Sequence, residues 1–556
     1  MKRLLLVYLI FLSENLVASQ LVKDEVIGVV SSAHPLATQA AELIYGKGGN
    51  AVDAAVAASF VLSVVEPTMS GLGGRAQALV RSGSGKFFGY NGMTEIPRSF
   101  VKRENMPDSG YSTVATPGLV GLLWNMHDQH GVLPFKVLVD PAIKVAEEGF
   151  LVLPGEAARQ KSSELKISTN KGMKTAFFQD GGSVTNAGKM LRQPVLAKTL
   201  QKISYGGVDT FYRGEIAQIM ATDILSHGGF VSQEDLSSYK VLPGRYISFA
   251  YRDFLVHTLA APAGGGLVIK ALMLMNHFDL AGLDDPRWAV VISQALAISI
   301  ESMSHNYYER DLDILVNSVW AEEHHKRIIL PKVRYEPIAS KSSLHSSSET
   351  DWIGYAGAHT SHFATADCSG MTVSMTQTLG PIFGAKVATP SLGFAYAATM
   401  GGYLRTGPQV PGERPRTAIA PVIVTRGDSV VMALGAAGGI RIPSAIVQTI
   451  SRFVDQGKNL SEAVAAPRVH PLTSIDKNDN RVIDLQSFNA EISYPGWTSE
   501  NLEYWRLNGF NVTETERNAS FGRIHATLSS HSNLFGVADP DWEGTASTQN
   551  ICLHSL

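Results

Sequence analysis

Residues 50–65 read NAVDAAVAASFVLSVV, a run that is apolar on nearly every face of the helix it predicts. A surface helix shows one apolar stripe, whereas a helix apolar all round has to be buried on several sides. The run stops at Glu66-Pro67, and the following SGLGGRAQALV, residues 70–80, reads as a glycine turn feeding an apolar strand. At 556 residues the chain exceeds what one ordinary core organises, which implies two to four domains or one large layered fold. The composition, 45% hydrophobic and 17% charged with a formal net charge of −3, is that of a soluble globular protein. No Lys/Arg block interleaved with aromatics is present, so no nucleic-acid partner is expected.

Gly71, Gly73 and Ala76 formally match a dinucleotide fingerprint. That motif needs a strand before the glycines and a helix after them, and here the order is reversed, so nucleotide binding is not expected. Helices are predicted over 118–130 and 141–148. Ser232 reads as a helix cap with Asp235 at the third helical position, and Pro262 with Gly264, Gly265 and Gly266 marks a tight loop before another helix. Residues 340–350, SKSSLHSSSET, are polar and without apolar period, which predicts an exposed loop.

After that loop the pattern turns to a hairpin. His359, Thr360, Ser361 and His362 open its first strand, residues 367–370 make the turn, and Thr372, Ser374, Thr376 and Thr378 then alternate with Met371, Val373, Met375 and Gln377. A period of two puts the four hydroxyls on one face. For Thr372, Ser374 and Thr376 the suitability of such residues for strands is explanation enough. A threonine hydroxyl is a poor nucleophile without a base in reach, and on a regular strand His359 points away from Thr360. A cut before Thr360 would supply one, because the new α-amino group, with an ordinary pKa of about 7.7–8.0, then sits on the same residue as the hydroxyl.

At the N-terminus Lys2 and Arg3 precede a short apolar run, and Val17-Ala18-Ser19 offers small residues for cleavage. This predicts a secretory signal peptide over 1–19, hence a secreted or periplasmic protein, the alternative being an uncleaved N-terminal anchor; no later run is long and apolar enough to span a bilayer. Cys368 and Cys552 are the only cysteines. They exclude a disulfide framework and a metal-ligand spacing but leave one bridge open.

The chain closely resembles the γ-glutamyltransferase (glutathione hydrolase) family of N-terminal-nucleophile hydrolases. The resemblance rests on ordered blocks between Gly48 and Ser547, among them GGNAVDAAVAASFVLSVVEP (48–67), TPGLVGLL (116–123), PAIKVAEEGFLV (141–152), HGGFVSQEDLSSY (227–239), HTSHFATAD (359–367), GAAGGIRIPSAIVQ (435–448) and GVADPDWEGTAS (536–547). It implies an α+β fold, a four-layer αββα sandwich with two antiparallel sheets between helical layers. It also implies a precursor cut between His359 and Thr360 into a heavy chain of 20–359 and a light chain of 360–556. Thr360 would be the nucleophile, Thr378 the threonine whose hydroxyl bonds it, and Gly438 and Gly439 the pair whose amides form the oxyanion hole. No metal or cofactor is implied. The expected substrate is a small γ-glutamyl or acyl amide, with water or an amine as acceptor.

The substrate-clamp positions depart from the family. Where members hold the α-carboxylate with an Arg and two Ser, the stretch YNGMTEIP (90–97) has no Arg and the Ser pair is Thr417-Ala418. Where members present an acid to the α-amino group, TMGG supplies Thr399 and Gly402; the family's Asn beyond the second Thr is Gly380. Charge-assisted contacts contribute about 1.5–3 kcal/mol each, so these losses weaken the expected grip on a free amino-acid head. Arg75 stands where the family usually has Gly, and Arg405, Arg414 and Arg416 lie near the altered segments; any of them could restore a carboxylate clamp, but the expectation for each is a solvated surface side chain. Three readings follow: a γ-glutamyl amide hydrolase or transferase, an acylase acting on another amide, and a catalytically silent scaffold.

Overall fold

Helix Ala51–Val65 is buried at every residue, as its composition requires. Its start is set by a capping box: the Asn50 side chain accepts from the backbone N–H groups of Val52 and Asp53, and Asp53 returns a bond to the Asn50 N–H. The Asp53 carboxylate also accepts from the backbone N–H groups of Val132 and Leu133, 3.1 and 3.2 Å away, so the cap ties this helix to the chain leaving helix Leu119–His130. The computed structural model describes residues 27–102, 105–179, 182–306, 316–331, 358–401, 410–475, 481–493, 495–517, 520–530, 532–541, 543–547 and 550–552. The signal-peptide region, the serine-rich segment, Arg405 and Gly402 lie outside the described residues.

Two seven-stranded sheets form the centre. The first runs Thr545–Ala546, Gly28–Ser32, Ala358–Asp367, Thr372–Pro381, Arg75–Arg81, Phe87–Gly92 and Leu242–Pro243. The second runs Asn550–Ile551, Asn533–Ala538, Arg523–Ser530, Ser429–Ala437, Val422–Arg426, Phe254–Leu259 and Tyr246–Tyr251. Every pairing described within them is antiparallel. Helix Ala51–Val65 packs on the two hairpin strands of the first sheet, with Pro35–Gly46, Leu119–His130 and Phe135–Glu148 around it. Helices Gly265–Met275 and Ile442–Val454 cover the far face of the second sheet. The fold is therefore the four-layer αββα sandwich, with one apolar core under each helical layer. A small third sheet, Val469–Ile475, Arg481–Glu491 and Asn511–Thr515, was not foreseen, and its last pair is parallel.

Local readings hold where the signal was local. The glycine segment follows a helix and precedes strand Arg75–Arg81, the reverse of a dinucleotide site. Ser232 and Asp235 make the reciprocal cap of helix Gln233–Ser238. Cys368 and Cys552 are bridged, their Cα atoms 5.4 Å apart.

The predicted hydroxyl face of Thr372–Pro381 looks across to the second sheet. Ser374 Oγ donates to the Leu434 carbonyl at 2.9 Å and accepts from the Val422 N–H at 3.1 Å. The interface between the sheets thus contains hydrogen bonds beside a small apolar cluster of Leu79, Leu259, Ala364, Ile423 and Ala433. The opposite face meets the buried helix, where Ser59 Oγ bonds Gln377 Oε1 and Thr365 Oγ1 bonds the Ala51 carbonyl.

Candidate active site

The ladder between Ala358–Asp367 and Thr372–Pro381 pairs His359 with Gly380 but Ser361 with Gln377. One residue, Thr360, therefore opposes two, Thr378 and Leu379: a β-bulge, a device that re-aims a side chain within a sheet. Thr360 is buried. On the bulged strand the Gly380 N–H donates to Thr378 Oγ1 at 2.8 Å. Gly380 holds φ at 92°, in the left-handed region, so the family's Asn is exchanged here for the residue that adopts this backbone at least cost.

Behind Thr360 stands a charged cluster that the sequence reading missed. Ser361 Oγ donates to Glu66 Oε2 at 2.5 Å, and Glu66 Oε1 lies 3.6 Å from Arg159 Nη2. Arg159 also pairs with Glu156 at 3.0 Å and donates from Nε to Thr68 Oγ1, which itself donates to Glu156. All five side chains are buried. Burial pushes the Glu66 and Glu156 carboxyls above their ordinary range, and Arg159 opposes that shift at both; Arg523 opposes it further at Glu66. The cluster ties the end of helix Ala51–Val65 to the residue following Thr360. Glu66, an acid closing a nearly all-apolar helix at the end away from its Asp53 cap, was the available signal, since a buried carboxylate needs a partner.

Two imidazoles, one from each sheet, lie between the sheets. His362 Nδ1 is 2.7 Å from Thr376 Oγ1, and the ring occupies space that a Cβ on Gly435 would invade, at 2.4–2.8 Å. Gly435 pairs in register with His525, so both rings meet beside one glycine. Burial is the main cause that holds both histidines neutral: His362 falls well below its ordinary value, with a smaller push from His525, and His525 falls to about 3, with a smaller push from Arg523.

Strand Ser429–Ala437 ends at Gly438 and Gly439, and the short turn Gly439–Arg441 packs against the Thr360 strand before helix Ile442–Val454 begins. Gly438 has φ 141°, and a Cβ there would sit 2.7 Å from Gly522 Cα; this is a glycine-only backbone. Two consecutive amides with no side chains can approach a developing anion closely, which is the geometry an oxyanion hole needs.

Arg75 pairs in register with Thr378, and its Nη1 donates to the Ala398 carbonyl and to Thr399 Oγ1, both at 3.1 Å. Thr399 Oγ1 is also 2.9 Å from Thr94 Oγ1. Strand register thus sets Thr360, Thr378 and Arg75 in a row across three strands, and hydrogen bonds extend it from Arg75 to Thr399 and Thr94. The expectation of solvated arginines fails at each described position, Arg416 being half-buried. Arg75 is 2% exposed because its strand lies inside the sheet, and Arg414 is drawn in by an ion pair to Glu95 (3.1 Å), a bond to the Asn91 carbonyl and stacking on Tyr239. Thr417 and Ala418 pack on the predicted Pro262–Gly266 loop: the Thr417 N–H donates to the Pro262 carbonyl at 2.8 Å, and a Cβ on Gly264 would touch the Ala418 backbone.

The αββα sandwich with its two antiparallel sheets is the fold of hydrolases of the N-terminal-nucleophile type. Comparison with known proteins agrees. The gamma-glutamyltranspeptidase family model matches residues 37–549, and the chain belongs to that family. It is 29% identical over 482 residues to the glutathione hydrolase proenzyme of Escherichia coli K12, covering 80% of each chain. It is 28% identical over 472 residues to the acylase ACY 1 proenzyme of Pseudomonas sp. V22, covering 80% of this chain and 82% of the relative. Among solved structures it is similar to a cephalosporin acylase from Bacillus halodurans, with a TM-score of 0.81, 25% identity, and coverage of 94% of this chain and 96% of the other.

Proposed function

We propose that the protein is made as a secreted precursor that cuts itself before Thr360 and then hydrolyses or transfers an acyl group from a small amide. In the first stage the Thr360 hydroxyl attacks the His359 carbonyl, the peptide nitrogen leaves as the α-amine of Thr360, and water hydrolyses the resulting ester. The products are a heavy chain, 20–359, and a light chain, 360–556. In turnover the free α-amine takes the proton from Oγ as Oγ attacks the substrate carbonyl. The Gly438 and Gly439 amides stabilise the oxyanion, each donor contributing about 2.7–4 kcal/mol to the barrier lowering in comparable sites. The leaving amine departs with that proton, and water or a second amine resolves the acyl-Thr360 ester. Thr378 orients the hydroxyl from across the bulge.

The observation that carries this reading is the single-residue bulge that sets Thr360 against Thr378, beside the glycine turn, in a chain matched almost throughout by the family. Family membership supports a γ-glutamyl amide such as glutathione as the substrate. A second reading, an acylase for an amide without a free amino-acid head, is favoured by the clamp. Thr399, Thr417 and Ala418 offer no carboxylate for an α-ammonium group, and Glu95 is engaged by Arg414. A denaturing gel tests the first stage: two pieces of about 37 and 21 kDa are expected, at ~110 Da per residue, and one uncut band for Thr360→Ala. Turnover of a γ-glutamyl anilide against simple acyl anilides then separates the substrates. Preference for the acyl anilides overturns the glutathione reading, and no turnover of either by fully cut protein favours a silent scaffold.

A further inference from the structure

We infer that His277, Glu322 and His325 form a binding site for one divalent transition-metal ion of the zinc class, on the helical layer outside the second sheet. His277 follows helix Gly265–Met275, and Glu322 belongs to helix Ser318–His324. His325 caps that helix with φ −60° and ψ −26°, still on the helical path, so the three-residue spacing turns Glu322 and His325 to one side. The two imidazole rings stack 4.1 Å apart with an 8° tilt, and His277 Nδ1 is 3.6 Å from Glu322 Oε2. One ligand atom from each of the three residues falls within 4.8 Å of the others.

The protonation pattern at His325 suits a ligand. Its Nδ1 lies 3.1 Å from the Ala321 carbonyl, which can only accept, so Nδ1 carries the hydrogen and Nε2 keeps its lone pair. A backbone carbonyl holding one ring nitrogen is the usual means of fixing a metal-binding tautomer. Two imidazoles with one carboxylate favour zinc, cobalt or nickel over calcium or magnesium, which take oxygen donors. In the stack the two ring planes are parallel and their in-plane lone pairs do not converge, so bonds of about 2.0–2.2 Å require the His277 ring to turn out of the stack as the ion binds. His277 and Glu322 keep 27% and 61% side-chain exposure, so they are free to turn and open to solvent ions. The ion would staple the end of one helix to another already packed against it, leaving a coordination position for water. The site lies on the far side of the second sheet from the Thr360 strand and serves no step of the proposed chemistry.

Calorimetric titration of Zn²⁺ into the chelator-stripped full protein tests this, with His277→Ala/His325→Ala and Glu322→Ala as controls. Expected are one saturable equivalent per chain in the wild type and affinity weakened by more than ~100-fold in the double variant. An intense visible absorption on Co²⁺ loading should appear in the wild type alone. Anilide turnover should be unchanged in all forms, because these side chains lie outside the catalytic row. Equal binding by wild type and double variant, or no saturable binding below about 1 mM, overturns the assignment.

Discussion

Acidification should destabilise this fold through the histidine pair between its sheets. His525 is held to about 3, mainly by burial and to a smaller extent by the charge of Arg523. In the unfolded chain it titrates near 6.5. Between these values the unfolded state binds one more proton than the folded state at this residue. The stability it contributes is therefore present above pH ~6.5 and is lost as pH falls. Each pH unit is worth about 1.36 kcal/mol, so at pH ~5 the loss from His525 alone is ~2 kcal/mol. His362, shifted in the same direction, adds a loss of the same sign. Buried Glu66 and Glu156 act in the opposite sense, since their raised carboxyls favour the folded state as pH drops. A difference measurement removes them. Urea unfolding of the uncut Thr360→Ala chain would be followed at pH about 7.5 and about 5, with and without His525→Leu, a substitution that keeps apolar bulk and removes titration. The parent should lose ~2 kcal/mol more than the His525→Leu chain between the two conditions. Equal losses in both chains would show that the imidazole is protonated in the folded state, and the reasoning from burial fails.

Three further outcomes are expected. Because Cys368 and Cys552 both follow Thr360, their bridge cannot hold the two pieces together, so the proposed 37 and 21 kDa bands should separate on non-reducing as well as reducing gels; replacing both cysteines by Ser should cost about 2–5 kcal/mol, read by urea unfolding of the uncut chain. Gly438→Ala forces a side chain onto a φ of 141° and within 2.7 Å of Gly522 Cα, and a strain of about 1–3 kcal/mol should accompany a fall of at least ~10-fold in anilide turnover. Glu66→Gln removes the anion that faces Arg159 and Ser361, with an expected loss of ~2 kcal/mol and slower self-cleavage followed on gels; unchanged stability would mean that Glu156 alone suffices for Arg159.

What the sequence by itself determined were features whose cause is local. A run apolar on nearly every face specifies a buried helix, and a period of two across Thr372–Thr378 specifies a strand with its hydroxyls on one face. Blocks of residues in fixed order carried the family and the four layers. Only the tertiary structure decided how distant segments meet. The bulge at Thr360 depends on the register of two strands, and burial of Arg75 depends on its strand lying inside the sheet. The Glu66–Arg159–Glu156 cluster and the meeting of His362 with His525 join residues far apart in the chain. Periodicity tells which face of an element is apolar; it carries no information about which polar side chain waits on the facing element, and desolvation and pairing are set by that neighbour.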